Sequence, residues 1–159
     1  MQVLPRIVRR PNGQAFCTTE YIASERWLRT TWQGFVSPTD AEQGAKAALE
    51  PLNLTAIHYL LNDNSQLQGP WFDSLEWLQR VWAPQAAALG LHYVAHVLQP
   101  HTEADLGTVL ATNPFAGQFE LQLFSTTEEA TSWLRDCRRQ EELAPGADVK
   151  QPASDQAAA

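Results

Sequence analysis

The hydrophobic and polar positions of this chain fall into blocks of different period, and the clearest block runs from Ala56 to Gln99. Ala56-Ile57-His58-Tyr59-Leu60-Leu61 reads as an apolar strand and Asn62-Asp63-Asn64-Ser65 as a polar loop. A tryptophan-rich helix follows from about Trp71 to Leu89, then a second strand from Leu91 to Leu98. One strand, one helix and one strand of this length make a right-handed parallel crossover. At about 100° per residue, Trp71, Leu75, Leu78, Trp82, Ala86 and Leu89 form the core stripe of the helix. Trp77 lies well away from it, among Asp73, Arg80 and Val81. Pro84 removes an amide donor and crowds the carbonyl of Arg80, so a kink or break is expected near Trp82-Ala83, and Gly90 is placed to end the segment.

The flanking blocks extend the same alternation. Phe16 to Ile22 and Trp27 to Trp32 predict a hairpin across the turn Ala23-Ser24-Glu25-Arg26, with Leu28, Thr30 and Trp32 on the face that meets the core. Ser37-Pro38-Thr39-Asp40 has the residues of a helix start, and Ala41, Ala45, Ala48, Leu49 and Leu52 recur at helical spacing until Pro51 closes the helix. Thr102-Glu103-Ala104-Asp105 repeats the capping pattern before a short helix. Phe119 to Phe124 alternates as a last strand, and Ser125 to Glu128 caps a final helix with Ala130, Trp133, Leu134 and Cys137 inward. Arg135, Arg138 and Arg139 then stand near the negative end of that helix. The order predicts an α/β domain over 15–139: an N-terminal hairpin, then a largely parallel, mixed sheet of about five strands with about four helices. Residues 1–14 read as a loose arm and 140–159, rich in Pro, Ala, Gly and charge, as a disordered tail.

Composition narrows the class. With 159 residues and 44% apolar content the chain suits one packed domain, and no apolar run approaches the roughly 18 residues of a membrane span, so no membrane insertion is expected. A formal charge of −7 argues against a nucleic-acid partner. Cys17 and Cys137 are too few for a disulfide framework, and with no signal-like segment at the start they fit a cytoplasmic protein.

Four short motifs carry a resemblance: Trp32-Gln33-Gly34-Phe35-Val36, Leu61-Asn62-Asp63-Asn64, Trp82-Ala83-Pro84 and Ala130-Thr131-Ser132-Trp133-Leu134. With the order of elements, over roughly Phe16 to Arg138, they resemble the STAS-like family of sulfate-transporter and anti-sigma-factor-antagonist domains, nearest its single-domain bacterial members. The resemblance implies a β/α superhelix with a mixed sheet. It also implies a non-enzymatic role in bacterial signalling through a protein partner, sometimes with an anionic or nucleotide ligand. Antagonists of the family follow the aspartate of this motif with a phosphoacceptor serine and a glycine at a helix start. Here Asp63 is followed by Asn64, Ser65 and an insertion through Pro70, and neither Ser65 nor Ser74 matches well, so no phosphorylation switch is expected.

Candidate chemistry is sparse. The chain has no nucleophile triad, phosphate loop or strong metal signature, and neither catalytic residues nor a cofactor is expected. Asn62, Asp63, Asn64 and Ser65 follow a central parallel strand, where open α/β sheets place ligands. They are the candidate ligand or partner loop, although short polar side chains also satisfy their own turns. Asp63 has no paired carboxylate and no evident base, which argues against acid–base catalysis. His58, His92 and His96 could share a face if their strands are neighbours, but off-pattern spacing makes ordinary strand histidines the expected reading and no metal is expected. Asp73, Trp77, Arg80 and Val81 are the candidate interface to a protein partner or a second copy, with Trp77 at its centre. The alternative reading is a carrier of a small apolar or amphipathic ligand, held between the tryptophan-rich helix and the sheet with the Pro84 break as its gate.

Overall fold

The computed structural model describes residues 3–69, 75–100 and 114–144. Its centre is one six-stranded sheet in the order β1 (Arg6–Arg9), β2 (Ala15–Ile22), β3 (Trp27–Phe35), β4 (Tyr59–Gln68), β5 (Tyr93–Val97), β6 (Glu120–Phe124). The first three strands form an antiparallel meander, and β3 to β6 run parallel. The expected α/β fold with a mixed sheet is therefore present. The sixth strand comes from the arm expected to be loose: Arg6 to Arg9 pairs with Ala15 to Thr19, and Arg6 reaches Glu50 at 2.9 Å. Alternation over four residues was too brief to register as a strand.

Helix α1 (Pro38–Leu54) begins with the expected capping box. The Ser37 hydroxyl accepts from the Asp40 amide, and the Asp40 carboxylate accepts from the Ser37 amide. Pro51 does not close the helix, which runs on to Leu54. In the last turn a proline forfeits one amide bond, while its own carbonyl still accepts from the Thr55 amide.

The tryptophan-rich segment is a composite helix, here called α2: α-helical over Leu75–Trp77, π-helical over Leu78–Trp82 and α-helical over Ala83–Ala88. The break expected at Pro84 is this π turn. The Ala83 amide donates to the Leu78 carbonyl, one residue beyond α register, and relieves the crowding a proline creates four residues downstream of Arg80. A π turn also shifts the helical wheel. Trp77, expected to point away, is half-buried against the core, with the Lys46 ammonium 5.6 Å above its ring.

The final helix, α3 (Thr127–Leu143), is capped by the Thr126 hydroxyl and continues past Gln140, where the tail was expected to begin. Arg135 and Arg138 are consequently mid-helix rather than terminal, and both bind Glu25 in the β2–β3 turn. Residues 71–74 of the long helix, the helix expected after Thr102, Asp73, Ser74 and the tail beyond residue 144 lie outside the described residues.

Strand alternation sorts the interior into two cores. Leu28, Leu60 and Val94 meet Ala45 and Leu52 of α1 and Trp82, Ala83 and Ala86 of α2. Trp27, Tyr59, Leu61, Ala95 and Val97 meet Ala130, Leu134 and Cys137 of α3. The sheet is thus covered on both faces, and Trp27, on the face opposite Leu28, Thr30 and Trp32, is core as well. Among the described residues no helix is long and apolar enough to cross a membrane.

Candidate functional site

The expected polar loop is not a loop. Asn62, Asp63, Asn64 and Ser65 continue β4, which gains one residue relative to β3: Thr31 pairs with Asp63, but Gln33 pairs with Gln66. This β-bulge around Asn64-Ser65 bends the strand and returns Leu67 to the face already used by Leu60, Asn62 and Asn64. The four residues therefore divide between the two faces of the sheet.

On the α3 face, the Asp63 carboxylate accepts from the Ser65 amide at 3.0 Å, the Ser65 hydroxyl at 2.6 Å and the Arg29 guanidinium at 3.0 Å. Burial by itself would raise the carboxyl pKa, but the Ser65 and Arg29 bonds outweigh it and hold it below the usual aspartate value. All of this serves the bulge: Asp63 neutralises Arg29 and ties down the unpaired backbone, as an Asx turn does.

On the other face, Asn62 and Asn64 join a cavity of about 100 Å³ between the sheet and helices α1 and α2. Thr30, Asn62, Asn64 and His96 make a polar floor; Ala41, Ala45 and Ala48 of α1, Leu78 and Trp82 of the π turn, and Phe115 and Phe119 form the walls. The alanine stripe of α1 is what leaves this space, since larger side chains there would fill it. Trp82 is fixed in the wall by its indole N–H, which donates to the Ala45 carbonyl at 2.7 Å, and by edge-on contact with Phe119. The cavity runs along the parallel strands from Leu60, Val94 and Leu121 near their starts to Asn64 and Leu67 toward the end of β4.

The floor is ordered by a chain of hydrogen bonds whose direction can be deduced. An indole can only donate, and Trp32 Nε1–H donates to Asn62 Oδ1 at 2.9 Å. Asn62 Nδ2 then faces His96 Nδ1 at 2.9 Å, so Nδ1 accepts and the imidazole carries its proton on Nε2. Nε2 lies 3.3 Å from Asn64 Nδ2, while Asn64 Oδ1 is buried with no partner among the described residues. Turning that amide over places the oxygen to accept from the Nε2–H. Full burial pushes the His96 pKa down to about 4, only partly opposed by the Asp63 charge, so the ring is neutral at pH 7. No aspartate, glutamate, lysine or arginine lines the cavity among the described residues.

The three histidines do not share one site. His58 and His92 immediately precede β4 and β5, which run in register from Tyr59 and Tyr93, so these two rings lie side by side with centroids 4.3 Å apart. Four residues further along β5, His96 turns into the cavity. Glu141, from the last turn of α3, reaches the histidine pair. Its oxygens lie 3.4 Å from His58 Nδ1 and 2.8 Å from His92 Nδ1, and it accepts a short hydrogen bond from the Tyr59 hydroxyl. Burial tends to raise the Glu141 pKa, but the bonds from Tyr59, His92 and His58 hold it below the ordinary glutamate value. Sequence reading assigned Glu141 to the tail and so missed it. Its polar neighbours hid the helical continuation, and only its spacing of four from Cys137 marks it as inward.

Of the candidate interface, Trp77 is half-buried against the core, Arg80 is exposed and paired with Glu76 at 3.2 Å, and Val81 is exposed. Comparison with protein-family models, curated proteins and solved structures gives no match for this chain.

Proposed function

We propose that this chain is a cytoplasmic, non-enzymatic binding domain that takes up a small uncharged molecule with an apolar body and one polar end, seated between the alanine face of α1, the π turn of α2 and the floor around His96. One observation carries the reading: the cavity has apolar walls and a polar floor held neutral by a hydrogen-bonded histidine. A buried polar floor is expensive unless its groups are paired, and plain packing would be served better by leucine or valine at Asn62, Asn64 and His96. The absence of a lining cation among the described residues disfavours the anionic and nucleotide ligands that the STAS-like resemblance allows. A volume of about 100 Å³ suits a molecule on the order of benzene in size or slightly smaller. That Leu78 and Trp82 come from a π turn supports the reading further, because such turns concentrate at functional sites. The resemblance is compatible with a signalling role in which the ligand state of the pocket governs a protein partner, and the poor match of Ser65 keeps phosphorylation out of the proposal.

Native mass spectrometry of the gently purified chain tests this. A stoichiometric small neutral molecule is expected, released on denaturation and absent from the Ala45→Phe variant, whose side chain would fill the cavity. A bare chain in both samples, whether monomer or dimer, would favour the protein-contact role instead.

A further inference from the structure

We infer that His58, His92 and Glu141 form a binding site for a divalent transition-metal ion, with zinc the best match to the donor set, at the amino-terminal edge of β4 and β5. The site differs in kind and position from the cavity, which lies on the α1 and α2 side of the sheet, whereas Glu141 approaches from α3.

The geometry is assembled by three separate elements. Strand register sets the two imidazoles together, and the backbone beneath them is fixed because the amides of His92 and Tyr93 both donate to the His58 carbonyl, at 2.8 and 3.0 Å. The last turn of α3 supplies the carboxylate. Both rings turn Nδ1 toward it, and one ligand atom from each of the three residues lies within 4.8 Å of the other two. A tetrahedral shell with bonds of about 2.0–2.1 Å has ligand–ligand edges of about 3.3 Å, so small torsions of these half-exposed side chains close the cluster.

The chemistry of the donors points the same way. Two neutral imidazoles and one carboxylate are a borderline-soft set suited to zinc and its neighbours rather than to calcium or magnesium. The Tyr59 hydroxyl holds Glu141 by hydrogen bonding, the kind of outer contact that orients a metal-bound carboxylate and is costly to lose. Three protein ligands leave at least one position for water, and the solvent exposure of His58 and His92 gives that water access. No thiol competes, because Cys17 and Cys137 are both buried. A metal here would clamp the end of α3 onto the sheet.

The test uses the full chain without a histidine tag, stripped with chelator and titrated with Zn²⁺ by calorimetry and with Co²⁺ by visible absorption. The expected result is one equivalent of metal, intense d–d bands typical of a four- or five-coordinate cobalt site, and a melting temperature that rises with Zn²⁺. His92→Gln and Glu141→Gln should each weaken Zn²⁺ binding by about 10–100-fold or more and abolish the cobalt bands. Circular dichroism of each metal-free variant confirms that it is folded. Failure of the wild-type chain to bind one equivalent, or binding and cobalt spectra unchanged in both folded variants, would overturn the assignment.

Discussion

Protonating His96 would place a cation in the buried floor between the sheet and α1, away from bulk solvent. The imidazole is therefore held neutral, with a folded pKa of about 4 against about 6.5 in an unfolded chain. Between those values the unfolded state binds the extra proton, so this contribution to stability is complete above the unfolded pKa and is lost as pH falls toward the folded one. The loss amounts to about 3 kcal/mol at most. Chemical denaturation of wild type and His96→Gln at several pH values should show a difference in stability that shrinks on acidification; a constant difference would mean that the ring is not buried neutral. Gly44 is a second residue whose identity is dictated locally. A β-carbon there would overlap the Trp32 ring and lie 2.9 Å from Cys17 Sγ, well inside contact distance. Gly44→Ala should cost about 1–3 kcal/mol by overpacking, and it should move the indole N–H resonance of Trp32 because the ring must leave Asn62. An unperturbed resonance with unchanged stability would show that the helix has room to retreat.

At the scale of elements, period and capping made most of the fold legible. Ser37-Pro38-Thr39-Asp40 fixed the start of α1, Thr126 sat within the stretch expected to cap α3, and alternation within Tyr93 to Val97 puts Val94 and His96 on one face and Ala95 and Val97 on the other, although Leu91, before the strand, packs with Val94. What was hidden is non-local. A bulge has no composition of its own, so Asn62 to Ser65 read as a loop although Asn62 and Asp63 pair with β3 on one side and β5 on the other. The π turn is invisible to a wheel drawn at one fixed angle, which is why Trp77 was misplaced. The end of α3 depends on Glu141, whose partners lie more than eighty positions earlier at His58 and Tyr59. That contact predicts an effect of truncation. A chain ending after Arg139 should lose about 1–2 kcal/mol, reduced from the full worth of hydrogen bonds to a charge because the carboxylate is partly solvated. A chain ending after Ala144 should melt with the full-length protein. Equal melting of both truncations would show that the last turn contributes nothing.

Across the whole molecule, the six-stranded sheet separates two kinds of chemistry. Its α3 face is closed by packing, by the Arg29–Asp63 pair and, at the strand starts, by Glu141 against His58 and His92. The opposite face is left incompletely filled by the alanines of α1, over neutral polar groups from three adjacent parallel strands. Asn62 and Asn64 were visible in sequence as polar positions at the end of a central strand, and a ligand between the tryptophan-rich helix and the sheet was the alternative reading, but the polar floor was not. The cavity requires Trp32 and Thr30 from β3, His96 from β5 and the π turn to converge, and only the tertiary fold brings them together. The most direct test of the account is a two-dimensional ¹H–¹⁵N spectrum of the full chain titrated with a neutral probe of matching size and shape, such as phenol. Binding in the cavity predicts saturable movement of the Trp32 and Trp82 indole resonances and of the backbone of Asn62, Asn64 and His96, abolished by Ala45→Phe. Shifts confined to the α3 face, or none at phenol concentrations that leave the protein folded, would contradict it.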